Sequence, residues 1–518
     1  MARRSIPWLL LALFALALAA RLLPGPRVID DAFITFRYAR NLLEGHGFVY
    51  TPGQPVLGTT TPLFTFLLVL LALPFGGASA NFPALAIGVS AVADGLTAVL
   101  LYALGQQLGS RAAGLAAALA WVVAPFSVTF AIGGLETSLY VLLLVGTFWA
   151  YLHKRIPLAA GLSAAAILTR PDAVVLAGPL LAWHALRSRP NLLQGGFWRN
   201  NAKAMLIFLL PLLAWAAWAW LAFGSPIAQS VSAKSNAYRI EPLGALSNFL
   251  NFYATLFLEH LTFGMQWLYI GLWLHPFLFI AGAWGVYKRQ PSTLPFIFFP
   301  WLYFAIFAIA NPLIFRWYLT PPLPFYILFI ALGVHTLYIQ LTARLAPSRA
   351  LRLALAAALV LLPTLSLLRG WTLRPEQDLG RPAPRMAWIE LELLYAQAAA
   401  ILQPRLAAYS TPPTLAAADV GVLGYQLPTT PILDLVGLNS KESLPYYPLD
   451  AEYYGDFLYA VSPDLVMHQR PDFIVILEIY GRYGLLQDPR FTNAYQLVEA
   501  IPASIYGTDG LLIYELQQ

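Results

Sequence analysis

The chain has 518 residues, of which 59% are hydrophobic and 11% are charged, and its formal net charge is +6. Charged residues make up about a quarter of a typical soluble domain, so this composition excludes an ordinary soluble protein. The chain contains no cysteine, which excludes disulfides and thiolate metal sites, and its scattered histidines do not indicate zinc. Lysine and arginine gather in the cytoplasmic loops of membrane proteins, so the positive charge does not indicate a nucleic-acid partner.

Long apolar runs predict a polytopic α-helical membrane protein, because about 20 apolar residues suffice to cross a bilayer. We predict about eleven transmembrane helices, at residues 6–24, 83–106, 112–131, 135–152, 157–170, 172–186, 204–223, 266–287, 292–311, 318–341 and 350–370. Two alternatives stay open: the first segment is a cleaved signal peptide, or the two short spans between residues 157 and 186 form one bent span.

The apolar run 61–75 is predicted to lie along the outer surface of the membrane rather than to cross it. With this arrangement every basic loop faces the cytoplasm, as the distribution of positive charge in membrane proteins requires. These loops lack acidic residues and carry Arg3, Arg4, Arg111, Lys154, Arg155, Arg187, Arg189, Lys288, Arg289, Arg344, Arg349 and Arg352.

The segments outside the membrane are then residues 25–82, 224–265 and 371–518. We predict a transmembrane catalytic domain over residues 1–370, with 25–82 as its first outer loop, and an extracytoplasmic α/β domain over residues 371–518. This last part carries most of the acidic residues. Its short strand-like runs, such as PDFIVIL and GLLIYEL, follow an amphipathic helix in PRMAWIELELLYAQAAAILQ.

The first outer loop places two adjacent carboxylates, Asp30 and Asp31, at the membrane edge. An amphipathic helix follows, on which Arg37 and Arg40 can reach phosphate or water, and then a Gly/Pro-rich loop that contains His46. A carboxylate can remove a proton from an attacking hydroxyl, and arginine can hold a phosphate leaving group. The alternative is structural: the two Asp residues cap a helix, the arginines anchor it to the interface, and the histidine serves a turn.

Other ionisable residues fall on the same predicted outer face. Glu136 begins the fourth span, Arg170 and Asp172 form a turn, Lys234 lies in the second outer loop, and Arg316 lies near the outer end of the tenth span. Ionisable residues at membrane depth are costly and usually mark function. Glu136 is alternatively a helix cap, and Arg170 and Asp172 alternatively pair only with each other.

The motifs DDAFITFRYARNLLEGHGFVYTPG, TTTPLFTFLLVLL, GLETSLY and TRPDAVVL resemble those of bacterial polyprenyl-phosphate-sugar-dependent glycosyltransferases of the GT-C superfamily. Similar families are the lipid A aminoarabinose transferases, the protein O-mannosyltransferases and the mycobacterial terminal arabinofuranosyltransferases. The resemblance covers about residues 6–340, and ADVGVLGYQ…ILDLVGL resembles the outer C-terminal domain of the same group. It implies an inverting transfer from a polyprenyl-phosphate sugar to a glycan, lipid or protein hydroxyl, at the outer face of the bacterial cytoplasmic membrane.

The resemblance also implies roles for particular residues. Asp30 or Asp31 would be the catalytic base, with Asp30 favoured, and Glu136 would be a second acid. Several relatives have a lysine before the surface helix that contacts the donor phosphate, but this chain has threonine there. Arg316 is the first substitute cation and Lys234 the second.

The sequence leaves two points open, namely whether the protein uses a cofactor and whether it is an enzyme or a transporter. No cofactor is implied with certainty, and since relatives differ, the resemblance allows a divalent cation without indicating a metal ligand. A transporter or flippase of lipid-linked sugars is the alternative function. That class tends to have charges near the membrane midplane and repeated halves, whereas this chain has acids at the outer face and no repeat.

Overall fold

The computed structural model describes residues 7–188, 196–257, 265–345, 348–374, 383–384 and 389–517. Its membrane part is a bundle of apolar helices. They are α1 (Pro7–Leu22), α2 (Asp30–Leu43), α3 (Pro62–Ala72), α4 (Phe82–Gln107), α5 (Arg111–Val123), α6 (Pro125–Ile132), α7 (Thr137–Leu152), α8 (Ile156–Thr169), α9 (Val174–Arg187), α10 (Gly196–Phe223), α11 (Gln229–Ala237), α12 (Gly244–Ala254), α13 (Gln266–Arg289), α14 (Leu294–Ala310), α15 (Leu323–Leu345) and α16 (Arg349–Leu367).

A helix occupies each predicted span, which confirms the polytopic helical class. Five helices in the described ranges are long and apolar enough to cross a membrane alone, or six if α5 and α6 count as one bent span. The number of crossings, eleven, therefore stays a prediction, and Arg3, Arg4 and Arg189 of the predicted cytoplasmic loops lie outside the described residues. Helix α3 has 11 residues, or about 16 Å, which is too short to cross straight.

The bend between α5 and α6 lies at a proline, and an arginine donates hydrogen bonds to the backbone carbonyls at the bend. The two helices meet at 46°, where Pro125 lacks the N–H that would bond the carbonyl of Trp121. The guanidinium of Arg21 in α1 donates to the carbonyls of Trp121 and Val122 instead. Its charge is balanced by Asp94 of α4, at 2.9 Å, and both side chains are fully buried.

The indole of Trp121 (3.1 Å) and the hydroxyl of Ser138 (3.1 Å) also donate to Asp94. Trp121 lies in α5 and Ser138 in α7, whereas Arg21 belongs to α1. One buried carboxylate of α4 therefore connects the first three spans to α7. Every polar atom in this cluster has its partner, as a group in an apolar medium requires.

The C-terminal part contains a small mixed sheet, in the place where the sequence predicted an α/β domain. Its elements are β1 (Leu373–Arg374), β2 (Ala383–Pro384), α17 (Glu390–Leu406), β3 (Leu415–Ala417), α18 (Gly421–Gln426), β4 (Ile432–Asp434), α19 (Ala451–Tyr454), α20 (Pro463–Gln469), β5 (Phe473–Leu477), α21 (Glu478–Gly481), α22 (Pro489–Ala494), β6 (Tyr495–Ile501) and β7 (Leu511–Leu516). The strand order is β4-β3-β5-β7-β6. Strand β3 is parallel to both neighbours, and β7 is antiparallel to both of its own. The central strand β5 is buried along its whole length.

The first outer loop packs directly against this sheet domain. Tyr38, Phe48 and Tyr50 of the loop belong to one hydrophobic cluster with the C-terminal strands. Helix α18 approaches α2 closely because Gly421 and Gly424 carry no side chain, and a Cβ at either position would overlap α2 or Tyr50. The contact between loop and C-terminal domain is therefore a packed core, which fixes α2 in place.

Candidate functional site

A cavity of about 280 Å³ lies between the first outer loop and the outer ends of the helices. It is bounded by α2, the loop before α3, the start of α7, the turn between α8 and α9, helix α11 and the segment before α15. Its polar and aromatic lining includes Asp31, Thr35, Thr59, Thr60, Thr61, Glu136, Arg170, Asp172, Ser230, Lys234, Ser235, Trp317 and Tyr318. We refer to it as the catalytic cavity, after the role that we propose for it.

Asp31 and Lys234 form an ion pair in this cavity. The ammonium of Lys234 lies 3.3 Å from Oδ2 of Asp31, whose side chain is 35% exposed, and 4.4 Å from the centre of the Phe315 ring. Burial lowers the pKa of Lys234, but the Asp31 carboxylate and Tyr318 together outweigh it, so the pKa is raised and the lysine stays charged. The cavity therefore holds a paired, solvent-accessible carboxylate.

Arg170 forms the second charged group and is bound on all sides. Its Nη1 donates to Glu136 at 3.1 Å, and its Nε and Nη2 donate to the two oxygens of Asp172 at 3.1 and 3.2 Å. The hydroxyl of Tyr303 in α14 donates to Asp172 at 2.7 Å, and the guanidinium lies 4.8 Å from the Tyr318 ring centre. Each nitrogen of Arg170 is already used, so this group is a rigid wall of the cavity.

The structure does not place Asp30, the favoured base, in the cavity. Its Oδ2 accepts from the backbone N–H of Gly421 at 3.0 Å and its Oδ1 from that of Val422 at 2.8 Å. Its own backbone N–H donates to Glu392 of α17 at 3.0 Å. Both carboxylate oxygens therefore fasten α2 to the C-terminal domain, a geometry that does not fit the expected role of Asp30 as base.

Arg37 and Arg40, the arginines of α2, do not line the cavity either. Arg37 is 1% exposed and donates to the carbonyls of Tyr50, Gly424 and Thr430, so it cannot reach a substrate phosphate. Arg40 donates to the carbonyl of Tyr425 and stacks on its ring at 4.0 Å.

His46 and Arg316 are likewise outside the cavity. The ring of His46 is largely exposed beside Glu44. Arg316 is exposed on the helical turn Arg316–Leu319, whereas the next residue, Trp317, lines the cavity. Phosphate binding by these two residues is not supported by their positions.

The helical period explains how α2 divides its side chains between two tasks. Asp31, Ile34 and Thr35 line the cavity, and they are three and four positions apart, which places them on one face. Asp30 and Arg37 are seven positions apart, on another face that meets the C-terminal domain. The helical period of the sequence was therefore enough to place the two Asp residues on different faces of α2, although they are adjacent in the chain.

A row of threonine hydroxyls forms one wall of the catalytic cavity. The hydroxyls of Thr59 and Thr61 are 3.1 Å apart, and that of Thr35 lies 3.4 Å from Thr61. This wall stands where several relatives were expected to carry lysine. No positive charge replaces that lysine locally, so the ammonium of Lys234 comes from another part of the chain.

A group of partly buried acids lies behind α2, on the side away from the cavity. Burial raises the pKa of Glu392 to about 8 and that of Asp419 to about 6. Tyr395 and Tyr480 both donate to Asp419, at 2.9 and 3.1 Å. Within the described ranges, no three His, Cys, Asp or Glu side chains are arranged to hold a metal ion.

Comparisons with known proteins give a partial sequence match and a full-length structural one. A family model for a domain of unknown function, DUF8728, matches residues 387–514. The terminal β-(1→2)-arabinofuranosyltransferase of Mycobacterium tuberculosis is 29% identical over 197 residues, which cover 36% of this chain. The match spans 29% of that relative, less than a third of its length.

Two solved structures share the fold over nearly the whole chain. ArnT from Cupriavidus metallidurans, crystallised with undecaprenyl phosphate, superposes with a TM-score of 0.57 at 14% identity and covers 98% of both chains. The oligosaccharyltransferase of Archaeoglobus fulgidus gives a TM-score of 0.55 at 11% identity, covering 99% of this chain and 74% of that one. The chain therefore shares the fold of these two structures, a GT-C type helical membrane bundle followed by a small C-terminal sheet domain.

Proposed function

We propose that this protein is an inverting glycosyltransferase that moves a sugar from a polyprenyl-phosphate donor to an acceptor hydroxyl. The reaction takes place at the outer face of the bacterial cytoplasmic membrane. The observation that carries the proposal is the Asp31–Lys234 pair, exposed in a cavity of a GT-C fold. The similarity to ArnT, a protein solved with undecaprenyl phosphate, supports the choice of donor. The acceptor is a glycan, lipid or protein.

Asp31 is the general base in this proposal. Of the two adjacent residues Asp30 and Asp31, Asp31 is the one whose carboxylate faces the cavity. In the described part of the chain it has no backbone N–H partner comparable to those of Asp30. A hydroxyl is a poor nucleophile near neutral pH unless a carboxylate within hydrogen-bond reach takes its proton. Glu136 is less suited to this role because it accepts from Arg170.

Lys234 is the cation for the donor phosphate. Arg170, the other cation lining the cavity, is already bound to two carboxylates, whereas Lys234 has one carboxylate partner and a partly exposed side chain. A phosphate that enters the cavity competes with Asp31 for this ammonium. Donor binding therefore draws Lys234 to the phosphate and releases Asp31 to accept a proton.

The reaction balances with these two residues. The acceptor oxygen attacks the anomeric carbon, a C–O bond forms, and the acceptor proton passes to Asp31. The bond between the anomeric carbon and the phosphate oxygen breaks on the opposite face, and its electron pair leaves with the polyprenyl phosphate. The ammonium of Lys234 stabilises the charge that develops there. Arg170 is a positioning residue that holds Glu136 and Asp172 at the wall.

The test is release of free polyprenyl phosphate by the purified full-length protein, incubated with a panel of polyprenyl-phosphate pentoses and hexoses and with glycan, lipid and peptide acceptors. We expect one donor to be turned over in wild type and none in Asp31→Asn. Movement of intact donor across reconstituted vesicles without release of polyprenyl phosphate would overturn the proposal and favour a transporter.

A further inference from the structure

A second cavity, of about 590 Å³, adjoins the catalytic cavity along helix α11. Val231 and Ser235 of α11 line both cavities. Leu57 lines the second cavity, and the next residue, Gly58, lines the first. The end of α10 and the segment around Lys441 complete the second wall. We call this second cavity the outer groove.

The outer groove presents hydrogen-bond acceptors along α11. The hydroxyl of Ser232 donates to the carbonyl of Gln229 and that of Ser235 to the carbonyl of Val231, both at 3.0 Å. Their protons are thus used within the helix, and the oxygens keep lone pairs for an incoming donor. Asn236 adds an exposed amide and Lys441 an exposed ammonium. A ligand with several hydroxyl groups matches this surface.

Apolar residues occupy the rest of the groove wall. Phe223, Ile227 and Leu444 lie beside the serines and the amide. The mixture matches a sugar, whose ring carbons are apolar and whose substituents are hydroxyls. A lipid tail would be served by a wall without these polar groups, and a peptide that binds by strand addition would need a free sheet edge. The edge strands β4 and β6 contribute nothing to the groove.

Helix α11 is held firmly, so the groove is preformed. The backbone N–H of Gln229 donates to Leu57 at 2.7 Å, and its side-chain amide donates to the carbonyl of Gly437 at 2.6 Å. Just beyond the other end of α11, the backbone N–H of Arg239 donates to Leu458 at 2.7 Å. A surface that is already ordered loses less entropy on binding, which favours recognition of a small polar ligand.

We propose that the outer groove binds the acceptor, and that the acceptor is a carbohydrate whose hydroxyl is presented to Asp31 past Val231 and Ser235. This inference rests on the proposed glycosyltransferase function, because it assigns the acceptor class of the same site. It selects a glycan from the three acceptor classes left open above.

The experiment measures binding of short linear oligosaccharides of arabinofuranose and of glucose to the purified full-length protein. Ser232→Trp fills the groove from an exposed position that does not line the catalytic cavity. The matched control is Ser247→Trp, on an exposed face of α12. We expect Ser232→Trp to weaken oligosaccharide binding by at least about tenfold. The control should bind as wild type does, and both variants should keep wild-type affinity for undecaprenyl phosphate.

Three results would overturn the inference: no oligosaccharide binds wild type, both tryptophan variants weaken binding equally, or only binding of a lysophospholipid or of a Gly-Ser-Thr peptide responds to Ser232→Trp. Failure of the proposed function gives a different pattern. In that case no donor is turned over, while Ser232→Trp still weakens oligosaccharide binding. Asp31→Asn provides the reciprocal check, because it should abolish transfer and leave oligosaccharide binding intact.

Discussion

The ammonium of Lys234, on α11, lies 3.3 Å from the carboxylate of Asp31, on α2. The two residues are 203 positions apart in the chain, and the pair joins the first and second outer loops across the catalytic cavity. In the donor-free protein each charge neutralises the other.

Asp31→Asn removes the proposed base and also frees the lysine. Loss of a general base lowers rate by about 10²–10⁴-fold, so transfer should fall by this amount. Affinity for undecaprenyl phosphate should rise, because the ammonium of Lys234 no longer has to break an ion pair with Asp31 before it binds the phosphate. Kinetics and direct binding on the same preparation test both. Near-normal turnover would remove Asp31 from the mechanism.

Lys234→Ala should weaken undecaprenyl phosphate binding by at least about tenfold, since the charge-assisted contact to the phosphate is lost. The control is Arg316→Ala, which removes an exposed cation outside the cavity and should leave donor kinetics unchanged. Titration of both variants with undecaprenyl phosphate decides the matter. A larger loss in the Arg316 variant would restore Arg316 as the phosphate ligand.

Asp30→Asn tests the structural role of the other carboxylate. The amide has one oxygen where two are used, and its NH₂ would face the N–H of Gly421 or Val422. An unsatisfied buried donor costs about 1–3 kcal/mol, so thermal unfolding in detergent should occur at lower temperature. Asp31→Asn is the matched control and should lower the unfolding temperature less, because it removes one partly exposed ion pair and leaves no buried donor facing another. Equal stability of the two variants would contradict the assignment.

Glu392→Gln should change how stability depends on pH. Burial raises the pKa of Glu392 from 4.5 to about 8, so the folded chain keeps a proton that the unfolded chain releases. Wild type therefore loses stability as pH rises from about 4.5 to 8, whereas glutamine keeps an oxygen for the N–H of Asp30 and does not titrate. Unfolding temperatures across this range should diverge in favour of the variant.

Glu478→Gln is the control for this pH series. The hydrogen bond from Arg482 lowers the pKa of Glu478, so its charged form stabilises the fold, and this stabilisation is lost as pH falls through the lowered pKa. The glutamine variant should therefore be less stable than wild type at neutral pH. A parallel pH dependence of wild type and Glu392→Gln would show that Glu392 does not hold the extra proton.

The helices were predictable because the apolar runs of the chain are long and are broken by Gly, Pro and charge. The convergence of Glu136, Arg170 and Lys234 also followed from sorting the loops by charge. The partners of individual side chains were not predictable in this way. Asp30 and Arg37 serve the C-terminal domain because two glycines of α18 let it approach α2, and that contact crosses about 390 residues of chain.

Asp94 shows the same limit inside the membrane part. A carboxylate in the middle of a span needs a partner or water, but nothing in the sequence identifies which residue supplies it. The partner is Arg21. In the sequence this residue looks like any arginine that flanks an apolar helix. The pairing depends on the bend at Pro125, because the bend exposes the carbonyls that bring the guanidinium inward.

Breaking this pair tests that account. Removing one member of a buried ion pair costs about 3–5 kcal/mol, so Asp94→Leu should strongly lower the yield of folded protein. The double variant Arg21→Met, Asp94→Leu removes both charges, yet the carbonyl of Val122 then loses the guanidinium from which it accepts, whereas that of Trp121 still accepts from the hydroxyl of Ser127. Its stability should lie between those of the single variant and wild type. Complete recovery in the double variant would show that the carbonyls do not need Arg21.

The Arg21–Asp94 pair also sets an order on biogenesis. The first helix leaves the ribosome with its arginine long before α4 supplies the aspartate, 73 residues later. Until then the cation has no partner in lipid, where an isolated charge is costly. We therefore expect the early helices to stay together beside the insertion machinery until α4 and α5 arrive. Joint insertion of these helices would pair the arginine before it meets lipid, with the Pro125 bend as the point on which they close.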